Sequence, residues 1–170
     1  MKWIASIVLI FSLTLLGHEY AKNLANRPKL IRLFKTALQI LEAEIVYSHA
    51  TIREALISVT KQTPEPISNL FLHIAKDIQQ EKEELFPIWE KHMEDFHKNS
   101  SIQKDDAEIL NQFGRTLGQY DIYQQQKYVR LTITHLERNL VEAEEKHQRY
   151  GNMSRSIGFL TGMLIVLLLL

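Results

Sequence analysis

The stretch from Ser156 to Leu170 constrains this chain more than any other feature of its sequence. It reads SIGFLTGMLIVLLLL, carries no charged side chain and ends in four consecutive leucines. A run this apolar has to be buried in protein or in lipid, and we expect no later segment to cover it. We therefore interpret residues 154–170 as a C-terminal transmembrane helix.

A second charge-free run, Trp3 to Gly17, lies near the start of the chain and predicts an N-terminal transmembrane helix over residues 1–21. At ~1.5 Å per residue each run spans ~22 Å, against ~30 Å of hydrocarbon, so each helix would have to recruit its flanks or thin the bilayer. Tyr20 and Tyr150 occupy positions suited to the membrane interface. The alternative is a cleaved signal peptide, but no small-x-small cleavage site follows Gly17 or Ala21.

The distribution of basic residues predicts the orientation of the two helices. Outside the runs stands Lys2, whereas the inner flanks hold Lys22, Arg27, Lys29, Arg32, Lys35, Lys146, Arg149 and Arg155. Because positive residues favour the cytoplasmic side, we expect a multi-pass cell-membrane protein whose domain of residues 22–153 is cytoplasmic and whose termini are extracytoplasmic.

Gly158 and Gly162 lie four residues apart in the C-terminal run. Small residues at this spacing let another transmembrane helix approach closely, so the pair is a candidate packing site for a homo-oligomer.

Composition limits the functions open to the central domain. About 130 residues remain between the runs, enough for one core but not two. Lys plus Arg and Asp plus Glu number 20 each, and no basic block interleaved with aromatic residues lies outside the membrane flanks, which argues against a nucleic-acid ligand. The absence of Cys excludes disulfides, thiol catalysis and zinc–thiolate sites.

Apolar residues at helical spacing predict an all-α antiparallel bundle of five to six helices between the two transmembrane helices. The first helix should start near Asn26 and Pro28, carry one apolar stripe to Val59, and end at the Thr63–Pro66 segment, where two prolines stop it. Further helices are predicted over about 67–78, 85–96 and 104–117, and from Asp121 onward. Gly118 should end the fourth helix in a left-handed conformation, and Asp121 should cap the last. The larger apolar residues of the third predicted helix, Phe86, Trp89, Met93 and Phe96, are expected in the core.

The sequence carries no motif that predicts a catalytic or cofactor site. No phosphate-binding glycine loop and no Gly-x-Ser-x-Gly motif is present. Two Glu-x-x-His pairs, Glu94–His97 and Glu144–His147, leave a dimetal helical-bundle enzyme as an alternative, with Glu42 or Glu44 as further ligands. The second pair, however, lies in a fully polar run typical of a solvated surface, so we predict a non-enzymatic protein without metal or cofactor.

Several short motifs, taken in order and spacing, resemble the stage III sporulation protein AB family over nearly the whole chain. They are Arg27-Pro28, Leu41-Glu42-Ala43-Glu44-Ile45, Ile109-Leu110-x-x-Phe113-Gly114-x-x-Leu117-Gly118-x-x-Asp121, Gln125-Gln126-Lys127 and Ser156-Ile157-Gly158-Phe159-Leu160. The resemblance implies a platform component of the channel complex between mother cell and forespore, sited in the mother-cell membrane. It also implies a partner ATPase of the secretion type and a soluble domain like that of the inner-membrane platform protein of type II secretion and type IV pilus systems, which is a six-helix bundle. If the domain has six helices, the sixth helix, which periodicity does not predict, could lie between Gln79 and Met93. A structural scaffold that recruits no motor is the alternative within this reading.

Glu42, Glu44, Asp121 and Gln125 are the candidate partner-binding residues. The two glutamates flank the apolar stripe of the first helix, and Asp121 and Gln125 would start the last helix across from them. Fixed charges beside a packed stripe can steer a basic partner. The alternative is structural: Asp121 as a helix cap, and the glutamates as solvated residues or as ion-pair partners of Arg130 or Lys127.

Overall fold

Apolar side chains at helical spacing produce six α-helices in the part of the chain whose backbone is described by the computed structural model. The structure describes the backbone of residues 2–80 and 84–169 and the side chains of residues 22–79 and 84–150. The helices are α1 (Lys2–Val46), α2 (Ile52–Gln62), α3 (Ile67–Gln80), α4 (Leu85–Lys98), α5 (Lys104–Thr116) and α6 (Ile122–Leu169). No strand occurs in the described ranges. The predicted all-α fold class is confirmed.

The chain divides into two units, one of Lys29–Leu140 and one of Met1–Pro28 together with Val141–Leu170. In the second unit the described side chains include the buried Arg27 and Ala143. Glu142 accepts a hydrogen bond from Lys146 one helical turn later, and the Arg149 guanidinium lies 5.6 Å from the centre of the Tyr150 ring. The helix bundle proper belongs to the first unit.

The predicted long helix from Pro28 to Val59 is wrong, because the chain turns between Val46 and Ile52. His49 adopts a positive φ of 51°, and Thr51 begins α2 with a capping box. The Glu54 carboxylate accepts from the Thr51 N–H at 2.9 Å, while the Thr51 hydroxyl accepts from the Glu54 N–H at 3.3 Å. This reciprocal pair satisfies backbone donors that a new helix start would otherwise leave unpaired. The additional helix is therefore α2, and not a helix between Gln79 and Met93.

The predicted helix start at Asn26 is also wrong. Helix α1 runs through this region, with Pro28 inside it. A proline within a helix removes one N–H donor and crowds one preceding turn, but it does not have to end the helix. The signal typical of a helix start is here an internal feature of α1.

The other predicted boundaries are confirmed because local signals set them. Helix α2 ends before Thr63 and Pro64, and Pro87 lies in the first turn of α4, where its missing N–H has no helical partner to lose. Gly118 has a φ of 80°, and the Asp121 carboxylate accepts from the Gln124 N–H at 2.9 Å at the start of α6. A Cβ at Gly118 would lie 2.4 Å from the Ile52 Cδ1, so conformation and space both favour glycine there.

The core of the Lys29–Leu140 unit is built around Trp89 of α4. Its ring makes edge contacts with Phe71 and Phe113 at 5.8 and 5.6 Å between centroids, and its indole N–H donates to the Leu110 carbonyl at 3.1 Å. Gly114 lies against the same ring, since a Cβ there would be 2.3 Å from the indole Cδ1. Trp89 and Met93 are buried as predicted, whereas Phe86 and Phe96 are only partly buried.

Polar contacts fix how α6 lies against its neighbours in this unit. Asp106 is buried and accepts from the Asn139 side chain at 2.8 Å, which joins the first turn of α5 to α6. Lys35 pairs with Glu137 at 2.8 Å and Glu42 pairs with Arg130 at 2.8 Å. As the residue number rises in α1 it falls in α6, so the two helices are antiparallel.

Candidate functional site

Glu42 joins α1 to α6 where these helices approach the turns at one end of the bundle. One of its carboxylate oxygens accepts from the Arg130 Nε at 2.8 Å and from the Gln126 Nε2 at 2.9 Å. The Glu42 side chain is 14% exposed and that of Arg130 64% exposed. The hydrogen bond from Arg130 to Glu42 is the largest cause that raises the pKa of the guanidinium, and the Coulomb attraction between the two groups raises this pKa further. This arrangement is the ion pair that the structural alternative predicted.

Glu44 lies on the same helix but contacts a different element. Its carboxylate accepts a hydrogen bond from the Ser58 hydroxyl of α2, and the site is partly buried. Glu44 therefore helps to hold α2 against α1 after the turn at His49. Its bond also shows why the two glutamates of one motif do not act as one charged surface.

Asp121 and Gln125 organise the α5–α6 turn. Asp121 is exposed and caps α6, whereas Gln125 is only 3% exposed. The Gln125 Oε1 accepts from the Gly118 N–H at 3.0 Å and so supports the left-handed turn residue. Gln125 is thus placed to fix the turn, and Asp121 is the member of the pair that a partner could reach.

The four candidate residues lie at one end of the Lys29–Leu140 unit, but they do not form a continuous acidic strip. Glu42, Glu44 and Gln125 bond to residues elsewhere in the chain, at Arg130, Ser58 and Gly118, and Asp121 bonds to the first turn of its own helix. Sequence reasoning missed the exposed tyrosines near them: Tyr47 is 71% exposed and Tyr123 is 86% exposed. Helical periodicity could have indicated Tyr123, because it does not fall on the buried stripe of α6, whereas Tyr47 lies in the turn that the prediction missed.

The residues of the dimetal alternative have other partners. Glu94 forms an ion pair with Lys98 at 2.8 Å, which lowers the pKa of the carboxyl, and a ring nitrogen of His97 lies 3.1 Å from the Ile102 carbonyl oxygen. Over residues 22–79 and 84–150, no group of three or more His, Cys, Asp or Glu side chains is arranged to hold a metal ion. The same range also lacks a helix that is both long and apolar enough to cross a membrane.

Gly158, Gly162 and the two charge-free runs lie outside the residues whose side chains are described. The predicted transmembrane helices over 1–21 and 154–170 therefore remain predictions from sequence.

The fold defines a class: a small all-helical bundle protein, with a buried aromatic core and no cluster of metal-ligating side chains in its described part. Comparison with known proteins narrows this class. The family described as "Stage III sporulation protein AB (spore_III_AB)" matches residues 2–170. The stage III sporulation protein AB of Bacillus subtilis (strain 168) is 35% identical over 170 residues, covering 100% of this chain and 99% of that protein.

A solved structure of a stage III sporulation protein AB (SpoIIIAB) is similar, with a TM-score of 0.66 and 36% identity over 72% of this chain and 96% of the other. The chain belongs to the stage III sporulation protein AB family, and the resemblance found in its motifs is confirmed. It is a sporulation protein, and its relatives carry the names of sporulation proteins rather than of enzymes.

Proposed function

We propose that this protein is a non-enzymatic, membrane-anchored platform subunit of the channel complex between mother cell and forespore. In this role it couples a cytoplasmic ATPase of the secretion type to proteins across the membrane. The family membership supports a role in sporulation. The finer role rests on the charge-free runs, on the likeness to secretion platform proteins that the family resemblance implies, and on the way in which α1 and α6 pair.

The pairing of α1 and α6 is the observation that carries the proposal. Each of these helices contains one charge-free run: Trp3–Gly17 belongs to α1, and Ser156–Leu170 overlaps α6, which ends at Leu169. The same two helices are joined in the Lys29–Leu140 unit by the Lys35–Glu137 and Glu42–Arg130 ion pairs. A partner that displaces this end of the bundle would therefore act on both elements that lead to the proposed anchors.

The proposed partner-binding residues are Glu42, Glu44, Asp121 and Gln125. Gln125 contributes by fixing the α5–α6 turn that positions Asp121. Asp121 offers an exposed carboxylate, and the exposed Tyr123 follows it by two residues. Tyrosine is enriched at protein interfaces because it combines a large apolar ring with a polar tip. A basic partner would meet Asp121 and Tyr123 first and could then compete with Arg130 for Glu42.

Co-purification tests the coupling to a motor. The full-length chain, isolated in mild detergent from sporulating cells that lack their own copy, should retain the secretion-type ATPase of the complex. Sporulation supported by this chain without any retained ATPase would favour the alternative, a structural scaffold that recruits no motor. A metal ion bound stoichiometrically and lost on changing Glu94 and His147 together would instead favour the dimetal enzyme.

Cysteine accessibility tests the membrane arrangement, since the chain contains no Cys of its own. The Lys104 side chain is 80% exposed in the structure and gives a reporter on the central domain. In intact cells, a membrane-impermeant thiol reagent should label a cysteine added after Leu170, and also Lys2→Cys, but should label Lys104→Cys only after permeabilisation. Labelling of Lys104→Cys in intact cells would reverse the orientation and remove the basis for a cytoplasmic motor.

In a separate comparison, Gly158→Leu with Gly162→Leu should reduce self-association if these glycines pack two copies together.

A further inference from the structure

A groove runs between α5 and α6 on the surface of the Lys29–Leu140 unit. Its volume is about 300 Å³. Its lining residues are Ile109, Gln112, Phe113, Arg115, Thr116, Tyr128, Leu131, Thr132 and His135. The two walls are antiparallel helices, because Asp106 bonds Asn139 at one end and Gly118 bonds Gln125 at the other. A groove between two packed helices can receive the side chains along one face of a third helix.

The surface of the groove favours an apolar ligand. Leu131 of α6 lies in it with 49% of its surface exposed, and Ile109 of α5 and Tyr128 of α6 line it as well, so apolar side chains of both helices face the groove. The Thr116 and Thr132 hydroxyls both donate to carbonyls of their own helices, at 2.8 Å, so they need no outside partner. The Tyr128 ring lies 5.0 Å from the Tyr120 ring, which extends the apolar surface towards the α5–α6 turn.

The α6 side of the groove is positively charged. The sequence from Ile122 to Leu136 contains no Asp or Glu, and the two glutamates that follow, Glu137 and Glu142, pair with Lys35 and Lys146. Lys127 and Arg138 lie one and two helical turns from Leu131 on the exposed face of α6, and within residues 22–79 and 84–150 neither forms an ion pair. The Arg130 guanidinium pairs with Glu42 of α1 and does not contribute to this charge.

The α5 side of the groove carries charges of both signs and is close to neutral. Glu108 pairs with Lys104 at 3.7 Å, and Arg115 lies 3.8 Å from Glu90 of α4, while Asp105 is exposed in the first turn. The charge of the groove is therefore asymmetric, with its positive side along α6.

We propose that the α5–α6 groove binds an amphipathic helix of a protein partner. Its apolar side chains, at spacings of three and four residues, would cover Leu131, and its acidic side chains would lie on the flank next to Lys127 and Arg138. Apolar burial supplies the affinity, and charge complementarity fixes the direction in which the helix lies. The inference goes beyond the proposed function, because it names the chemistry of a partner and does not depend on a motor or on the membrane arrangement.

A membrane surface is the less favoured occupant of this face. Recognition of anionic lipid usually requires a cluster of about four to eight Lys or Arg residues. This face offers Lys127 and Arg138 beside His135, and its apolar residues line a concave groove rather than a projecting surface.

Site-specific photo-crosslinking in the full-length chain tests the proposal. A benzophenone amino acid replaces Leu131, and in a matched control it replaces Tyr47, which is also exposed but lies outside the groove. Crosslinking is performed in sporulating cells, and the adduct is mapped by mass spectrometry. We expect position 131 to crosslink to an acidic amphipathic helix of a protein, and position 47 not to reach that segment.

Charge reversal then tests the asymmetry. Lys127→Glu with Arg138→Glu should reduce the adduct at position 131 by about tenfold, because two favourable charge contacts become repulsive. Reversing the acidic residues of the crosslinked segment should restore it. Lys61→Glu with Lys91→Glu, two exposed lysines on other helices, is the control and should leave the adduct unchanged.

The remaining outcomes would each overturn the proposal. They are an adduct with lipid, an adduct with a second copy of this chain, an adduct with a basic or non-helical segment, no adduct at position 131, or an adduct insensitive to reversal of Lys127 and Arg138. Because all these substitutions lie on exposed positions, a circular dichroism spectrum like that of the unchanged protein is expected and separates loss of binding from loss of fold.

Discussion

Two contacts between residues far apart in the sequence hold this bundle together in opposite ways. Trp89 of α4 packs against Gly114 of α5 with no room for a Cβ, and the tryptophan is completely buried. Glu42 of α1, which is 14% exposed, pairs with Arg130 of α6, which is 64% exposed. The first contact is a tight steric fit that excludes water, whereas the second is an electrostatic contact that water reaches on its arginine side.

The difference indicates where stability and interaction are separated in the molecule. Overpacking or emptying a buried aromatic site costs several kcal/mol, because the surrounding helices relax only in part. A solvent-exposed ion pair contributes about 0–1 kcal/mol, because water screens it and both side chains lose freedom to form it. The α1–α6 end can therefore exchange one partner for another at little cost to the fold, and the Trp89 site cannot.

The largest expected effect is at Gly114. Gly114→Ala would place a methyl group 2.3 Å from the Trp89 ring, so we expect a loss of about 3 kcal/mol, at the upper end for overpacking. Thermal unfolding of the full-length protein, followed by helical circular dichroism, measures it. Adding Trp89→Leu should recover part of the loss relative to Trp89→Leu alone, since the smaller residue leaves room for the methyl group. If Gly114→Ala left the unfolding temperature unchanged, Trp89 would not be the fixed centre of the core.

The next effect is expected at Asp106, which is buried yet polar. Its carboxylate accepts from the Gln103 N–H at 2.9 Å and from Asn139 at 2.8 Å. Asp106→Ala removes the acceptor of the Gln103 N–H at the start of α5 and leaves the Asn139 amide without this acceptor, so we expect a loss of about 2 kcal/mol. Asp105→Ala, on the exposed neighbouring position, should change the unfolding temperature much less. Equal effects of the two variants would mean that the hydrogen bond from Asn139 to Asp106 contributes nothing to the stability of the fold.

A smaller effect on stability is expected at the Glu42–Arg130 contact, together with a large effect on function. Glu42→Gln with Glu44→Gln retains hydrogen-bond acceptors, so we expect a loss of about 1 kcal/mol or less. Retention of the ATPase and spore formation should nevertheless fall if these carboxylates meet a basic partner. A large loss of stability, with unchanged retention per folded molecule, would leave them as fold determinants only and would erase the contrast with Trp89.

The smallest effect is expected at the turn between α1 and α2. Hydrogen bonds from the Thr51 backbone N–H, and then from its hydroxyl, lower the pKa of the Glu54 carboxyl. A lowered pKa in the folded state means that the contribution to stability is present above the ordinary glutamate pKa and is lost as the pH falls through the folded value. Glu54→Gln should therefore be slightly less stable than the unchanged protein at neutral pH, and the two unfolding curves should converge in acid. The exposed Glu65→Gln is the control, and a difference that persisted in acid would contradict the capping role.

Sequence alone predicted the parts of the fold that local chemistry controls. Proline at Pro64 and Pro66 ended a helix, Gly118 took the left-handed position, and Asp121 capped α6, because each signal acts within a few residues of itself. The prediction failed between Val46 and Ile52, where an apolar stripe continued across a break. The Thr51-x-x-Glu54 motif was available there, but periodicity outweighed it in the prediction.

Sequence by itself determined that this chain is an all-helical member of the stage III sporulation protein AB family, because periodicity and the order of short motifs are properties of the chain. Tertiary structure alone decided which glutamate meets Arg130, which glycine receives the Trp89 ring, and that Leu131 lies in an open groove. The physical reason is that these contacts join residues from different helices, and the spacing along one helix does not specify which residue of another helix it will face.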